Sequence, residues 1–209
     1  MNLSAELARE QRGRLPQGGY EKLQAARVAV AGLGGLGSHV AMELARSGVG
    51  CLHLIDFDTV DVSNLNRQLY QIQDIGCFKT DALARSIAAV HPDVRVVADR
   101  VQVTEENLPR LFAEETLVCE AFDRPENKAM LVNGLLAVFP EIRVVAASGM
   151  AGYGGSNAIR TRRLGRRLYV CGDLQTGLAP AQGLLGPRVS ICAGHQANMI
   201  LELILGKKE

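Results

Sequence analysis

No stretch of this 209-residue chain approaches the ~20 consecutive apolar residues that a membrane-spanning helix requires. The first fourteen residues are polar and charged, without the apolar centre of a secretory signal, so the expected location is the cytoplasm. The formal net charge is only +1, which gives no electrostatic basis for binding nucleic acid or an anionic membrane. The five cysteines (Cys51, Cys77, Cys119, Cys171, Cys192) are odd in number and scattered, a pattern of reduced thiols rather than of a disulfide frame. There is no C-x-x-C pair, so a zinc knuckle of the usual spacing cannot be built and no zinc is expected.

With 47% hydrophobic and 22% charged residues the composition is that of an ordinary globular domain. Short β-rich runs alternate with amphipathic helical stretches from residue 27 to about 147. Strands are expected at 27–31, 51–55, 94–98, 116–120 and 142–147, and helices at 35–47, 80–90, 105–114 and 125–138. Such alternation implies right-handed crossovers and a mostly parallel, Rossmann-like α/β sheet covered on both faces. After Ser148 the character changes: a glycine-rich segment, strands at 156–161 and 167–170, a loop at 176–187 and an apolar helix at 193–205. The expected organisation is one domain: a helical lead (1–26), a core (27–148) and a small antiparallel C-terminal extension (149–209).

The loop Gly32, Gly34, Gly35, Gly37 follows the first strand and opens a helix, the setting of a nucleotide-binding fingerprint. The first glycine permits a tight turn, the second lets a phosphate approach the backbone, and the last lets helix and strand pack closely. The phosphate then lies at the positive end of the helix. Asp56 ends the next strand, where a carboxylate can accept ribose hydroxyls. The loop alone does not separate NAD from ATP.

Residues farther along favour ATP. Asp58, Ser63, Asn64, Arg67 and Gln68 precede Lys79, and Asp123 follows the fourth strand. Singly, Arg67 and Lys79 read as surface charges, Asp123 as a helix cap and Asn64 as a turn residue. As an ordered set after the fingerprint they suit adenylation, in which negative charge builds on phosphate oxygens and must be met by fixed cations and Mg²⁺. Asp123, at the carboxyl end of a strand, is placed to hold Mg²⁺, a hard cation that prefers oxygen ligands.

These residues, with the segments Ala121–Asp123, Ala147–Tyr153 and Ile191–Asn198, resemble the ThiF/MoeB/HesA family of adenylyltransferases, relatives of the ubiquitin-activating enzymes, and in particular its short ThiF family 2 branch. The resemblance implies ATP-dependent adenylation of the C-terminal Gly-Gly carboxylate of a ThiS-like sulfur carrier protein, in the synthesis of the thiazole of thiamin. It implies that Gly35 contacts phosphate and Asp56 the ribose, and that Asn64 and Arg67 engage the triphosphate. It further implies that Lys79 stabilises the α-phosphate and Asp123 holds Mg²⁺. Family members are homodimers and many lend an arginine to the partner's site, a role open to Arg12 or Arg14.

Larger relatives also carry a cysteine that bonds the carrier covalently. Cys171 reads here as a small buried hydrophobe; Cys192, expected to begin the last helix, where a thiolate is favoured, also reads as a packed residue first. His195 reads as a satisfied core or interface histidine. The basic run Arg160, Arg162, Arg163, Arg166, Arg167 reads as a solvated strand face, or as a surface that meets acidic residues of the carrier.

Overall fold

The computed structural model describes residues 3–177 and 183–206, so the middle of the expected loop at 176–187 lies outside the described residues. Two helices, α1 (Leu3–Arg14) and α2 (Gly19–Ala25), lead into β1 (Arg27–Ala31). There follow α3 (Gly35–Arg46), β2 (Cys51–Ile55), α4 (Lys79–Val90), β3 (Arg95–Asp99), α5 (Leu108–Leu111) and β4 (Leu117–Glu120). Helix α6 (Pro125–Val138), β5 (Arg143–Ala147), β6 (Arg160–Arg163), β7 (Leu168–Gly172) and α7 (Gly186–Leu205) complete the chain.

The seven strands form one sheet in the order β3-β2-β1-β4-β5-β7-β6, parallel throughout except for the β6–β7 pair. The architecture is therefore the expected Rossmann-like one with a small antiparallel extension. Alternation along each strand sends side chains to two cores. Val28, Val30, Leu52 and Leu54 pack with α3, α4 and α7, whereas Ala29, Ala31, Ile55 and Val118 pack with α5 and α6. Burial on both faces explains why these strands read as continuous apolar runs. The strand order reverses between β1 and β4, and a crevice forms there at the carboxyl ends of the strands, as open α/β sheets require.

Three elements differ from the sequence expectation. The helix expected at 105–114 is a single turn, Leu108–Leu111. Thr104 and Asn107 exchange backbone-to-side-chain hydrogen bonds in both directions, which closes a turn ahead of Pro109 instead of propagating a helix. The last helix begins at Gly186, seven residues before the expected 193, because Pro187 occupies its first turn, where a missing N–H costs nothing. Residues Ser156–Ala158, expected as strand, form a 3₁₀ turn after Gly155, whose φ of 46° is left-handed. Among the described residues no helix is long and apolar enough to cross a membrane.

Candidate functional site

A cleft of about 890 Å³ opens at the switch point of the sheet. The turns after β1, β2, β4 and β5 form its floor, and the segment 64–68 with Leu184 and Val189 forms one wall. Gly32, Gly34, Gly35, Asp56, Asp58, Asn64, Arg67, Lys79 and Asp123 all line it. Sequence positions spread over ninety residues thus converge on one cavity. Gly37 and Ser63 are not among the lining residues.

The glycine loop is shaped by close backbone approach. Gly32 has φ 89°, and a methyl group there would lie 2.8 Å from the Ala121 carbonyl oxygen. A methyl at Gly37 would lie 1.8 Å from the Gly32 carbonyl oxygen, so Gly37 serves the packing of helix on turn. Gly34 caps α3 without a side chain, leaving the first N–H groups of a twelve-residue helix directed at the cleft.

Asp56 braces this loop from the next strand. Its Oδ2 accepts the Leu33 N–H at 2.6 Å and its Oδ1 accepts the Asp58 N–H at 2.8 Å. The Tyr70 hydroxyl donates to the Leu33 carbonyl at 2.8 Å. Burial pushes the Asp56 carboxyl above its ordinary value despite the charge of Lys79 and the two N–H donors. Each carboxylate oxygen retains capacity for a second hydrogen bond.

Lys79 is the first residue of α4 and is almost wholly buried. A cation at a helix N-terminus opposes the helix dipole, and Asp58 offsets this, its Oδ2 lying 2.7 Å from Lys79 Nζ. The pair is fixed through the backbone as well, since Lys79 N–H donates to the Asp58 carbonyl at 3.0 Å. Arg67 Nη1 donates to the Ser63 carbonyl and to Asn66 Oδ1, each at 2.8 Å. His39 Nε2 lies 3.2 Å from the Arg67 carbonyl, and burial lowers the His39 pKa, so a neutral ring donates this bond. Ser63 and Asn64 share a capping box with Asp61, which fixes the 3₁₀ turn that carries them.

Asp123 stands exposed on the turn after β4. Beneath it is an arrangement the sequence reading did not contain. Glu120 is fully buried, and both its carboxylate oxygens lie 2.9 Å from Lys128 Nζ. Glu120 Oε1 also accepts the Phe122 N–H at 2.7 Å, and Lys128 donates to the Phe122 carbonyl at 2.7 Å. Both polar groups of the residue before Asp123 are therefore clamped. Burial raises the Glu120 pKa, with Lys128 and the N–H donors acting against it. No local pattern in the sequence announces this pair. Among the described residues no cluster of three His, Cys, Asp or Glu side chains forms a metal cage.

Cys192 is packed, as expected, but does not begin the helix. Cys192 is the seventh residue of α7, not its first, and is fully buried with Sγ directed at the Cys171 carbonyl. Burial pushes its pKa up to about 12 and that of Cys171 to about 11. His195 is half-buried, its Nδ1 3.0 Å from Thr161 Oγ1. The basic run is partly structural. Arg167 donates to the Leu136 and Phe139 carbonyls at the end of α6, and Arg162 donates to the Gly172 carbonyl. Arg160 and Arg166 are exposed. Arg12 pairs with Glu21 and lies 4.3 Å over the Tyr20 ring, while Arg14 pairs with Glu10.

The ThiF family profile matches residues 8–209. The adenylyltransferase and sulfurtransferase UBA4 of Saccharomyces cerevisiae is 30% identical over 194 residues, which cover 90% of this chain and 44% of that protein. The tRNA threonylcarbamoyladenosine dehydratase of Bacillus subtilis is 43% identical over 95 residues, 45% of this chain and 37% of that one. The chain thus spans less than half the length of these curated relatives. The crystal structure of the Escherichia coli tRNA N6-threonylcarbamoyladenosine dehydratase TcdA, solved in complex with ATP, has the same fold, with a TM-score of 0.88 over 99% of this chain and 96% of that one at 20% identity. With nearly its whole length matched by the family profile, this chain belongs to the ThiF family.

Proposed function

We propose that the chain is an ATP-dependent adenylyltransferase that transfers AMP to a carboxylate, the C-terminal Gly-Gly carboxylate of a ThiS-like sulfur carrier in thiamin synthesis being the substrate. The observation that carries this reading is the convergence of a helix N-terminus, Asp56, Asn64, Arg67, Lys79 and Asp123 on one cleft. In the reaction a carboxylate oxygen attacks the α-phosphorus, the bond to the β-phosphate bridging oxygen breaks, and pyrophosphate leaves. Gly35 and the N–H groups of α3 cradle phosphate, and Asp56 accepts the ribose hydroxyls with its remaining lone pairs. Lys79 and Arg67 meet the charge that grows on the phosphate oxygens.

Mg²⁺ is held by one or two carboxylates together with substrate phosphates, and the exposed carboxylate of Asp123 on the cleft fits that donor set. When bound there it supplies charge neutralisation to the triphosphate. The protein acts in the cytoplasm as a homodimer, with Arg12 or Arg14 reaching the partner's cleft. The exposed Arg160 and Arg166 offer a positive surface to an acidic carrier.

The test is carrier-dependent exchange of pyrophosphate into ATP. Exchange is expected for the wild type and is expected to fall at least ~100-fold in Lys79→Ala and Asp123→Ala. Full exchange in both variants would refute the assignment of these residues. A second reading, adenylation of the carboxylate of a threonylcarbamoyl-modified tRNA nucleoside, is favoured by the coverage of 96% of the TcdA chain. The net charge of +1 weighs against a tRNA partner. AMP release driven by modified tRNA, without any carrier, would select that reading.

A further inference from the structure

The strands that carry the Asp123 turn and the Ser148 turn separate at their carboxyl ends. The parallel β4–β5 ladder stops at the pair Cys119–Val145. Its next bond would run from the Ala147 N–H to the Glu120 carbonyl. Instead the Ala147 N–H donates to the Glu120 carboxylate, and the Glu120 carbonyl accepts Gln196 Nε2 at 2.9 Å. On their outer sides both strands stay paired at this level. The Ala121 N–H donates to the Ala31 carbonyl of β1, and the Ser148 N–H donates to the Cys171 carbonyl of β7, each at 2.9 Å. The opening is therefore confined to the β4–β5 seam.

Gln196 lies in the middle of α7, is fully buried and is not among the residues that line the cleft. Its Nε2 also reaches the Val145 carbonyl at 3.2 Å, so the two N–H groups of one amide span both sides of the seam. Its Oε1 meets no hydrogen-bond partner among the described residues, so the donor end makes the contacts of this amide. Alternation along β4 puts Cys119 on the α7 face and Glu120 on the α6 face. The seam is thus wedged from both faces of the sheet, by the Gln196 amide on one and by the Glu120 carboxylate on the other. Residues 121–124 and 148–151, into which the two strands lead, line the cleft. Without the Gln196 amide the Glu120 carbonyl is a buried acceptor that has lost its donor. The ladder's own donor, the Ala147 N–H, would take that place, extend the pairing by one step and draw the two turns together.

We propose that Gln196 is a positioning residue for adenylyl transfer, holding the ends of β4 and β5 apart so that the Asp123 turn and the Ser148 turn flank an open cleft. The proposal rests on the reading of the cleft as an adenylation site, and its test separates the two. Pyrophosphate exchange with a ThiS-like carrier is measured for the wild type, Lys79→Ala, Gln196→Met and Gln196→Leu, with kcat expressed per ATP-binding site counted by calorimetry. Gln196→Met keeps the length of the side chain and removes both donors. Its kcat is expected to fall ~10- to 100-fold while KM for ATP changes less than ~3-fold, because the glycine loop and Asp56 follow β1 and β2, outside the seam. Gln196→Leu should behave alike. Nuclear magnetic resonance couplings across the hydrogen bond should run from the Ala147 nitrogen to the Glu120 carboxyl carbon in the wild type, and to the Glu120 backbone carbonyl carbon in the variants.

No exchange by the wild type overturns the reading of the cleft and this proposal with it. Exchange that is lost in Lys79→Ala while kcat is unchanged in both Gln196 variants overturns the proposal alone. A KM for ATP that rises in proportion to the fall in kcat also overturns it, since general loosening of the domain would act on both. Where neither variant folds, the wild-type couplings decide: one from the Ala147 nitrogen to the Glu120 backbone carbonyl carbon would show that the seam is not held open.

Discussion

Replacing Lys128 with methionine isolates the energetics of the turn that presents Asp123. Glu120 is fully buried, and the Lys128 ammonium lies 2.9 Å from each of its oxygens. At that separation the gross attraction is ~6 kcal/mol for an effective dielectric of about 20. Most of it is spent on the desolvation of the two charges, so the intact pair contributes little net stability. Removing one partner is different: the Glu120 carboxylate stays buried and uncompensated, at a cost of ~3–5 kcal/mol.

The side chain of Lys128 is 20% exposed, and water reaching the vacated position places the expected loss near ~3 kcal/mol. That is a large share of the ~5–15 kcal/mol typical of a domain. Urea titration at neutral pH should show a lower midpoint with an unchanged slope. The sign with pH follows from Glu120. Its pKa is already raised by burial, and loss of Lys128 raises it further. A carboxyl group raised in the folded state stabilises below its unfolded pKa of about 4.5, and that contribution is lost as pH rises through the folded value. The variant should therefore be least impaired in acid. The double variant Glu120→Gln, Lys128→Met should recover most of the loss. A Lys128→Met cost under ~1 kcal/mol, or a double variant no better than the single one, would refute the buried-charge argument.

Three further outcomes follow from the same geometry. His53 is buried between Glu115 and Asp99, each at 2.8 Å; burial opposes its charge but the two carboxylates prevail and raise its pKa above 6.5. Its contribution to stability is complete below about 6.5 and lost as pH rises through the folded value, so denaturation across that range should show a decline that His53→Gln abolishes; an identical decline in the variant would contradict this. Gly37→Ala should cost ~3 kcal/mol or more, because a backbone oxygen blocks the methyl, whereas Gly34→Ala should cost ~1 kcal/mol or less; equal melting temperatures would undo this ranking. Asp58→Asn should lower exchange ~10- to 100-fold with ATP affinity changed less, because Lys79 loses the partner that aims it; proportional loss of both would show Asp58 acting in ground-state binding.

How much of this was legible in the sequence depends on the range of the interactions. β1, the glycine loop and the start of α3 were legible because each glycine answers a local steric demand, as Gly32 and Gly37 do. The limits of α6 were legible to the residue, since Pro125 fixes its start. Pro187 carries the same signal at the start of α7, but in a glycine-rich context it reads as a loop. The pairs Glu120–Lys128 and His53–Glu115 were not legible. The first depends on a strand end and a helix meeting beneath a turn, the second on residues 62 apart in sequence.

The same distinction governs the cleft. Residue types and order identify Asp58, Arg67 and Lys79 as a set, but not that their charges are already engaged. Lys79 is held by Asp58, and Arg67 by Ser63 and Asn66. A cation fixed in this way gives up part of its field to its counter-ion and gains a fixed direction. Catalysis by charged groups depends on the second quantity, because dipoles and charges that need not reorganise lower a barrier most. The counter-ion of Lys79 is half exposed while Lys79 itself is buried. Water thus screens the carboxylate more than the ammonium, so the pair fixes the direction of Lys79 without cancelling its charge completely.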